Sequence, residues 1–593
     1  MKQFFKMMFA SMFGFVLAGI LLVFIVFGII AATVSSFSEK KEVKVSANSV
    51  LHLKLDTYLE DRTSENPFVN YNFSNFESNN SAGVYDVIRS IKKAKADAHM
   101  SGIFIEFGSG FHAGFANLQD LREAIIDFKK SGKFVYAYSE IYAERNYYLA
   151  STADKVFLDP SGELIFNGMS VNITFFKSML DKLGIEMQVF KAGKFKGAVE
   201  PFIREDLSPE NEEQINVYLT SLYGTFIKGI SESRKIDTAR LYEIADKMEI
   251  RTAKTAVDLK MIDALKHHDE VLAEIRKKLG TGGDDKIDFV SAYDYRDVKV
   301  DGENKDSENQ GKIAILYAVG DIVDGSGDEA TVGSHSLREA IIKARTNDKI
   351  KAVVLRINSP GGSAMASDVI LRELALLKKT KPLIVSMGDV AASGGYYIAM
   401  AADTIVAQPN TITGSIGVFG MLPNMKGLLN DKLGIHLDGV KKGEFSELGR
   451  PDRPFTEGEK AIIQGYVEDV YRQFLGVVSK GRGMDTAAVH EIAQGRVWTA
   501  EDAKARGLVD VMGGMQTALD IAAKKAGLTN YRITELPVEK NPFEEFFKSM
   551  SAETKAKMLK EELGESYTYY MQMKRAMRVQ GIQTRMPFEI TVD

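Results

Sequence analysis

Tyr218–Asp237 reads YLTSLYGTFIKGISESRKID, and Tyr466–Asp485 reads YVEDVYRQFLGVVSKGRGMD. The two stretches align without a gap at an offset of 248 residues. Working outward, YYLASTAD (147–154) matches YYIAMAAD (396–403) at an offset of 249. Further out, SGIFIEF (101–107) matches KAVVLRI (351–357) at 250. A solenoid repeat would recur every ~20–50 residues. A nearly constant offset over so long a span means instead that a whole domain is duplicated.

Each copy reads as α/β. In the second, IAILYAV (313–319), AVVLRI (352–357) and PLIVSM (382–387) are short apolar runs, the pattern of parallel strands buried on both faces. LREAIIKAR (337–345) and ASDVILRELALLKK (366–379) carry apolar residues at helical spacing between them. Alternation of this kind predicts a parallel sheet with right-handed crossovers. GTGGDD (280–285) and DGENKDSENQG (301–311) read as polar linker. The expected units are 49–300 and 312–530, followed by a tail, 531–593, with a charged, Met-rich helical stretch at 552–578.

The N-terminus differs from the rest. Lys2 and Lys6 precede an apolar run from about Phe9 to Val34. That is longer than the ~7–15-residue core of a cleaved signal peptide and reaches the ~20 residues that span a bilayer. Residues 1–36 are therefore expected to be a membrane anchor, with cleavage near Ala31 and Ala32 left open. Lys2 and Lys6 favour a cytoplasmic N-terminus, although Lys40, Lys41 and Lys44 follow the span. No second long apolar run follows, so the remaining chain is expected on one side of the membrane.

The chain has 593 residues, a formal net charge of −5 and no cysteine. Disulfides, thiolate metal sites and cysteine nucleophiles are excluded. Nothing in the charge pattern calls for nucleic acid.

Two glycine-rich turns follow predicted strands: NSPGGS (358–363) and ASGGYY (392–397). Alone, Gly-Gly after a strand marks a tight turn. Together on one sheet they suggest more. Ser393 on a strand-to-helix turn would expose its hydroxyl, and the N–H of Gly394 could face an incoming oxyanion, with Gly361 and Gly362 opposite. The serine needs a base. His335 and His436 lie in the same half but in no distinctive motif, so a triad is unsupported although spacing does not exclude it. A lysine is the alternative, provided burial brings its pKa toward neutrality.

In order along the chain, FKAGKFKGAVEPF (190–202), NSPGG, ASGGYYIA, TGSIG (413–417), GRVWT (495–499) and GLVD (507–510) resemble the signal peptide peptidase A, or protease IV, family in its long, duplicated form. The resemblance runs from about residue 50 to 525. It implies tandem ClpP/crotonase-like domains, Ser393 as nucleophile and Lys196 as base, with Lys194 the nearby competitor. It further implies an oxyanion hole from Gly394 and the SPGG turn, with Ser415 holding the lysine amine. By the same implication the substrates are remnant signal peptides and the assembly a homotetramer. The reading is of a single-pass inner-membrane protein with its catalytic part on the periplasmic side. No metal or organic cofactor is implied.

The duplication makes a separate point. Ser393 falls opposite Glu144, and AERNYY stands where the second copy has ASGGYY. Conversely KAGKFK (191–196) falls opposite KKGEFS (441–446), so Ser446 stands opposite Lys196. Each copy lacks what the other keeps, and one intact site requires the copies to meet. Tyr147, Tyr148 and Asp154 persist opposite Tyr396, Tyr397 and Asp403, which points to fold roles; Trp498 reads as core. Two other readings are a crotonase-type acyl-CoA enzyme and a non-catalytic membrane scaffold.

Overall fold

The computed structural model of the chain describes residues 45–64, 82–283, 285–298, 311–328, 330–537 and 582–586, with short pieces within 3–21, 71–78 and 559–574. The 552–578 stretch lies mostly outside the described residues, as does the second half of the expected anchor. Among the described residues no helix is long and apolar enough to cross a membrane.

The first half supplies β1 (Ser49–Leu55), β2 (Met100–Phe107), β3 (Phe134–Tyr142), β4 (Lys155–Leu164), β5 (Glu186–Ala192), β6 (Ala264–Leu265) and β7 (Phe289–Ser291). Its helices include α1 (Val84–Ala96), α2 (Phe115–Lys129), α3 (Glu144–Ala150) and α4 (Pro209–Arg234). The second half supplies β8 (Lys312–Val319), β9 (Asp321–Val323), β10 (Thr331–Gly333), β11 (Ile350–Ser359), β12 (Gly361–Ser363), β13 (Leu383–Ala392), β14 (Thr404–Ala407), β15 (Ile412–Gly414), β16 (Val418–Asn424), β17 (Val497–Thr499), β18 (Val511–Met512) and β19 (Arg532–Leu536). Helices α5 (Ser334–Thr346), α6 (Ala364–Lys378), α7 (Gly394–Ala399) and α8 (Glu457–Arg482) belong to it. The tail adds β20 (Ile582–Arg585).

The duplication is visible element by element. Helices α1 and α5 start 250 residues apart, α2 and α6 249, and α4 and α8 248. Both long helices are capped alike: Ser208 accepts from the Asn211 N–H with Pro209 at the first turn, and Thr456 with Glu459 forms a capping box.

Among the described residues each half builds one main sheet. The first has the order β6-β4-β3-β2-β1-β7 and is parallel throughout. The second has the order β17-β15-β13-β11-β8-β19, with β14 beside β13; it is parallel except for β17. Ala352, Val353, Val354, Leu355 and Ile357 of β11 are all fully buried, as a strand covered on both faces requires. The sheet takes β19 from what the sequence reading assigns to the tail. That strand pairs with β8 as β7 pairs with β1, so the repeat extends to Leu536. Five residues, RITEL, are too few to carry a periodicity of their own.

A third sheet mixes the parts of the chain: β10-β9-β12-β20-β16-β5. Here β5 of the first half pairs antiparallel with β16 of the second, from Ala192 against Val418 to Glu186 against Asn424. The first half's apolar core also takes in Ala392, Ile412 and Val497. A buried polar cluster closes the same seam. The Arg356 guanidinium donates to Asp61 Oδ1 at 2.8 Å and to Asn117 Oδ1 at 2.6 Å, and Asp389 accepts from the N–H groups of Ala116 and Asn117.

Candidate active site

Ser393 stands between β13 and α7, where the chain turns from strand to helix. Its φ of 54° and ψ of −113° lie outside the regions a non-glycine residue prefers. Such strain costs about 1–3 kcal/mol and persists only where surrounding contacts impose it. Its N–H donates to the Gly414 carbonyl at 2.8 Å, and its carbonyl accepts from the Tyr397 N–H at 2.8 Å. These two bonds hold the elbow.

Lys196 arrives from the first half. Strand β5 runs beside β16, and the chain then turns through Gly193 at φ 108°. The Lys196 side chain is fully buried. Its Nζ lies 2.9 Å from Ser393 Oγ, 3.0 Å from Ser415 Oγ and 3.1 Å from the Ser415 carbonyl oxygen. Burial alone holds the amine well below the usual lysine range. A neutral amine has two N–H bonds for the Ser415 oxygens and a lone pair for the Ser393 hydroxyl. Lys194, by contrast, is exposed, its Nζ 4.9 Å from the Phe195 ring centroid. His335 and His436 are both exposed.

The loop carrying Lys196 is clamped by residues the sequence reading did not single out. The Phe195 N–H donates to the Gln494 carbonyl at 2.9 Å. Gln214 of α4 donates to the Phe195 carbonyl and accepts from the Val497 N–H, bridging the halves. Gly495, at φ 82°, packs on the lysine backbone: a Cβ there would lie 2.7 Å from Lys196 N and 2.8 Å from its Cα. GRVWT thus contributes its glycine to the site. Its Trp498 is buried, with Nε1 donating to the Ile492 carbonyl at 3.0 Å.

The SPGG turn lies against the elbow. Gly361 and Gly362 have φ of 100° and 155°, and a Cβ on Gly361 would stand 2.6 Å from Gly394 N. Only glycine allows that approach. Strand β20 lines the same place, which the sequence reading did not foresee. The Thr584 carbonyl oxygen would be 2.1 Å from a Cβ on Gly361 and 3.0 Å from one on Gly394.

The first half's counterpart of the elbow holds Glu144 at the start of α3. Its carboxylate accepts from the N–H groups of Asn167 at 2.8 Å and Gly168 at 2.7 Å, and burial pushes its pKa up to about 7. Ser446, opposite Lys196 in the repeat, is exposed. The residues kept in both copies hold the fold. Asp154 accepts from the Val135 N–H, second in β3, and Asp403 from the Leu383 N–H, first in β13; Tyr147 and Tyr396 donate to the carbonyls of Met261 and Leu508.

A strained serine at a strand-to-helix elbow, against a glycine turn and within reach of a buried amine, fits a serine peptidase in a duplicated α/β frame. The Peptidase family S49 profile matches twice, at residues 127–281 and 375–529, and the Clp protease profile matches 316–413. The chain is 35% identical over 482 residues to "Protease 4" of Salmonella typhi, covering 80% of this chain and 77% of that one. Over 524 residues it is 35% identical to "Protease 4" of Haemophilus influenzae, covering 84% and 83%. It is also 35% identical over 450 residues to "Serine protease SPPA, chloroplastic" of Arabidopsis thaliana, covering 74% and 66%. The chain belongs to peptidase family S49.

Proposed function

We propose that this serine peptidase works with a Ser393–Lys196 dyad assembled across the two halves. Neutral Lys196 takes the Ser393 proton as Oγ attacks the scissile carbonyl, and returns it to the leaving amine; water then hydrolyses the acyl-enzyme. The Gly394 N–H and the Gly361–Gly362 turn stabilise the oxyanion. Ser415 orients the amine. The observation that carries this reading is the 2.9 Å contact between Lys196 Nζ and Ser393 Oγ in a fully buried setting.

Labelling with a serine-reactive phosphonate tests the dyad. Ser393 is expected to be modified in the wild type and unmodified in Lys196→Ala. Labelling at another serine, or full labelling without Lys196, would overturn it.

The proposed substrates are signal peptides already released from their preproteins. The proposed setting is an inner-membrane anchor within 1–36, the catalytic part on the periplasmic side and a homotetramer. The apolar run Phe9–Val34 and the family resemblance support this setting. Alkaline extraction should leave the full chain in the membrane pellet and release a chain lacking residues 1–36. Release of both would remove the anchor.

A further inference from the structure

We propose that the chain carries its own occupant of the substrate cleft, the C-terminal strand β20. The inference rests on Ser393 being the nucleophile. Strands β12 and β16 flank that serine, one leading from the SPGG turn and the other following Ser415. Strand β20 lies between them and pairs antiparallel with both. Gly361, Gly362 and Ser363 face Arg585, Thr584 and Gln583; Phe419 and Gly420 face Gln583 and Ile582.

The pairing is supported along its length. The Met586 N–H donates to the Pro360 carbonyl at 2.7 Å, and Thr584 Oγ1 donates to the Gly362 carbonyl at 3.2 Å. Arg585 pairs with Asp321 at 3.1 Å. Thr584, Gln583 and Met586 are buried, and Met586 joins the apolar core.

An extended peptide entering this cleft would add to the same two strand edges by backbone hydrogen bonds. It would need the space that β20 fills. The Thr584 carbonyl oxygen stands against both Gly361 and Gly394, in the space beside Ser393. The tail is therefore a substrate-like strand that competes in cis. Tethering gives it a high effective concentration, so free peptides bind only to the fraction of molecules whose tail has left.

The test uses the Ser393→Ala background, which cannot cut its own tail. Binding of a fluorescent peptide with the sequence of residues 580–588, QGIQTRMPF, is compared in the full chain and in a chain ending at Val579. The shortened chain should bind roughly ten-fold tighter or more. A full-length Thr584→Pro variant, which loses a ladder N–H, should shift the same way without deletion. Equal affinity in all three would overturn the inference. A parallel phosphonate reaction on chains with Ser393 intact separates the two readings. No labelling with or without the tail means that the nucleophile is wrong and the inference falls with it. Equal labelling rates mean that only the tail's role is wrong.

Discussion

Lys196 and Ser393 are 197 residues apart in the chain and 2.9 Å apart in space. The contact is held by the pairing of β5 on β16 and by the Gln214 and Gln494 bonds that join the halves beside the site. Residues 46–300 and 310–593 expressed separately should therefore each be inactive toward peptides, although the second holds Ser393, Gly394, the SPGG turn and Ser415. Residual turnover is judged against Ser393→Ala in the same fragment. A rate near that of the whole chain from 310–593 would place the base within it.

On the proposed dyad the buried amine sets the pH profile. Burial lowers the Lys196 pKa, so its neutral form is present at lower pH than for a free lysine. On this basis kcat/KM should rise with pH through one ionisation at neutral to alkaline pH. Lys196→Ala should abolish turnover and Lys194→Ala should leave it nearly intact, since Lys194 is exposed. A rise centred near pH 6.5 and removed by a single histidine substitution would be incompatible with the dyad.

Gly495→Ala tests the backing of the lysine. The new Cβ would press on Lys196 N, Cα and Cβ at 2.7–2.8 Å, from a position with φ 82°. A misplacement near 1 Å can cost ~100-fold in rate, so kcat should fall by about that factor. The strain costs ~1–3 kcal/mol of stability, which thermal unfolding would register as a shifted but still cooperative transition. An unchanged kcat would show that Gly495 does not set the lysine's position.

The seam between the halves should respond to acid. Burial raises Asp120 and Asp389 to about 6, against an ordinary 3.8. Their folded pKa values lie above the unfolded ones. The stability they contribute is full below about pH 3.8 and is lost as pH rises through about 6. Asp61, Glu123, Tyr58 and the Arg356 guanidinium face the same cluster. Asp389→Asn cannot ionise, so the wild type minus variant difference in unfolding midpoint should change between pH 4 and 7. A constant difference would show that Asp389 does not titrate in that window.

The repeat made the paired sheets legible, because its offset and its buried strand runs survive in both copies. It also singled out Ser393 and Lys196, which lie 2.9 Å apart in the structure, because each is replaced in the opposite copy. Gly495 was not legible in that way: its purpose exists only relative to the backbone of Lys196, far away in the chain. The Arg356–Asp61–Asp389 cluster is likewise a set of long-range pairings with no local pattern. Strand β20 is only four residues long, too short to carry a periodicity of its own.

Glu144 is held by two backbone N–H groups in the first half, and Ser446 lies exposed in the second. The first copy carries Glu144, Arg145 and Asn146 where its counterpart carries Ser393, Gly394 and Gly395. Position 446 is exposed, so a lysine there would lack the burial that lowers the Lys196 pKa. On the proposed dyad the copies are therefore interdependent: a lesion in either half silences the site they share.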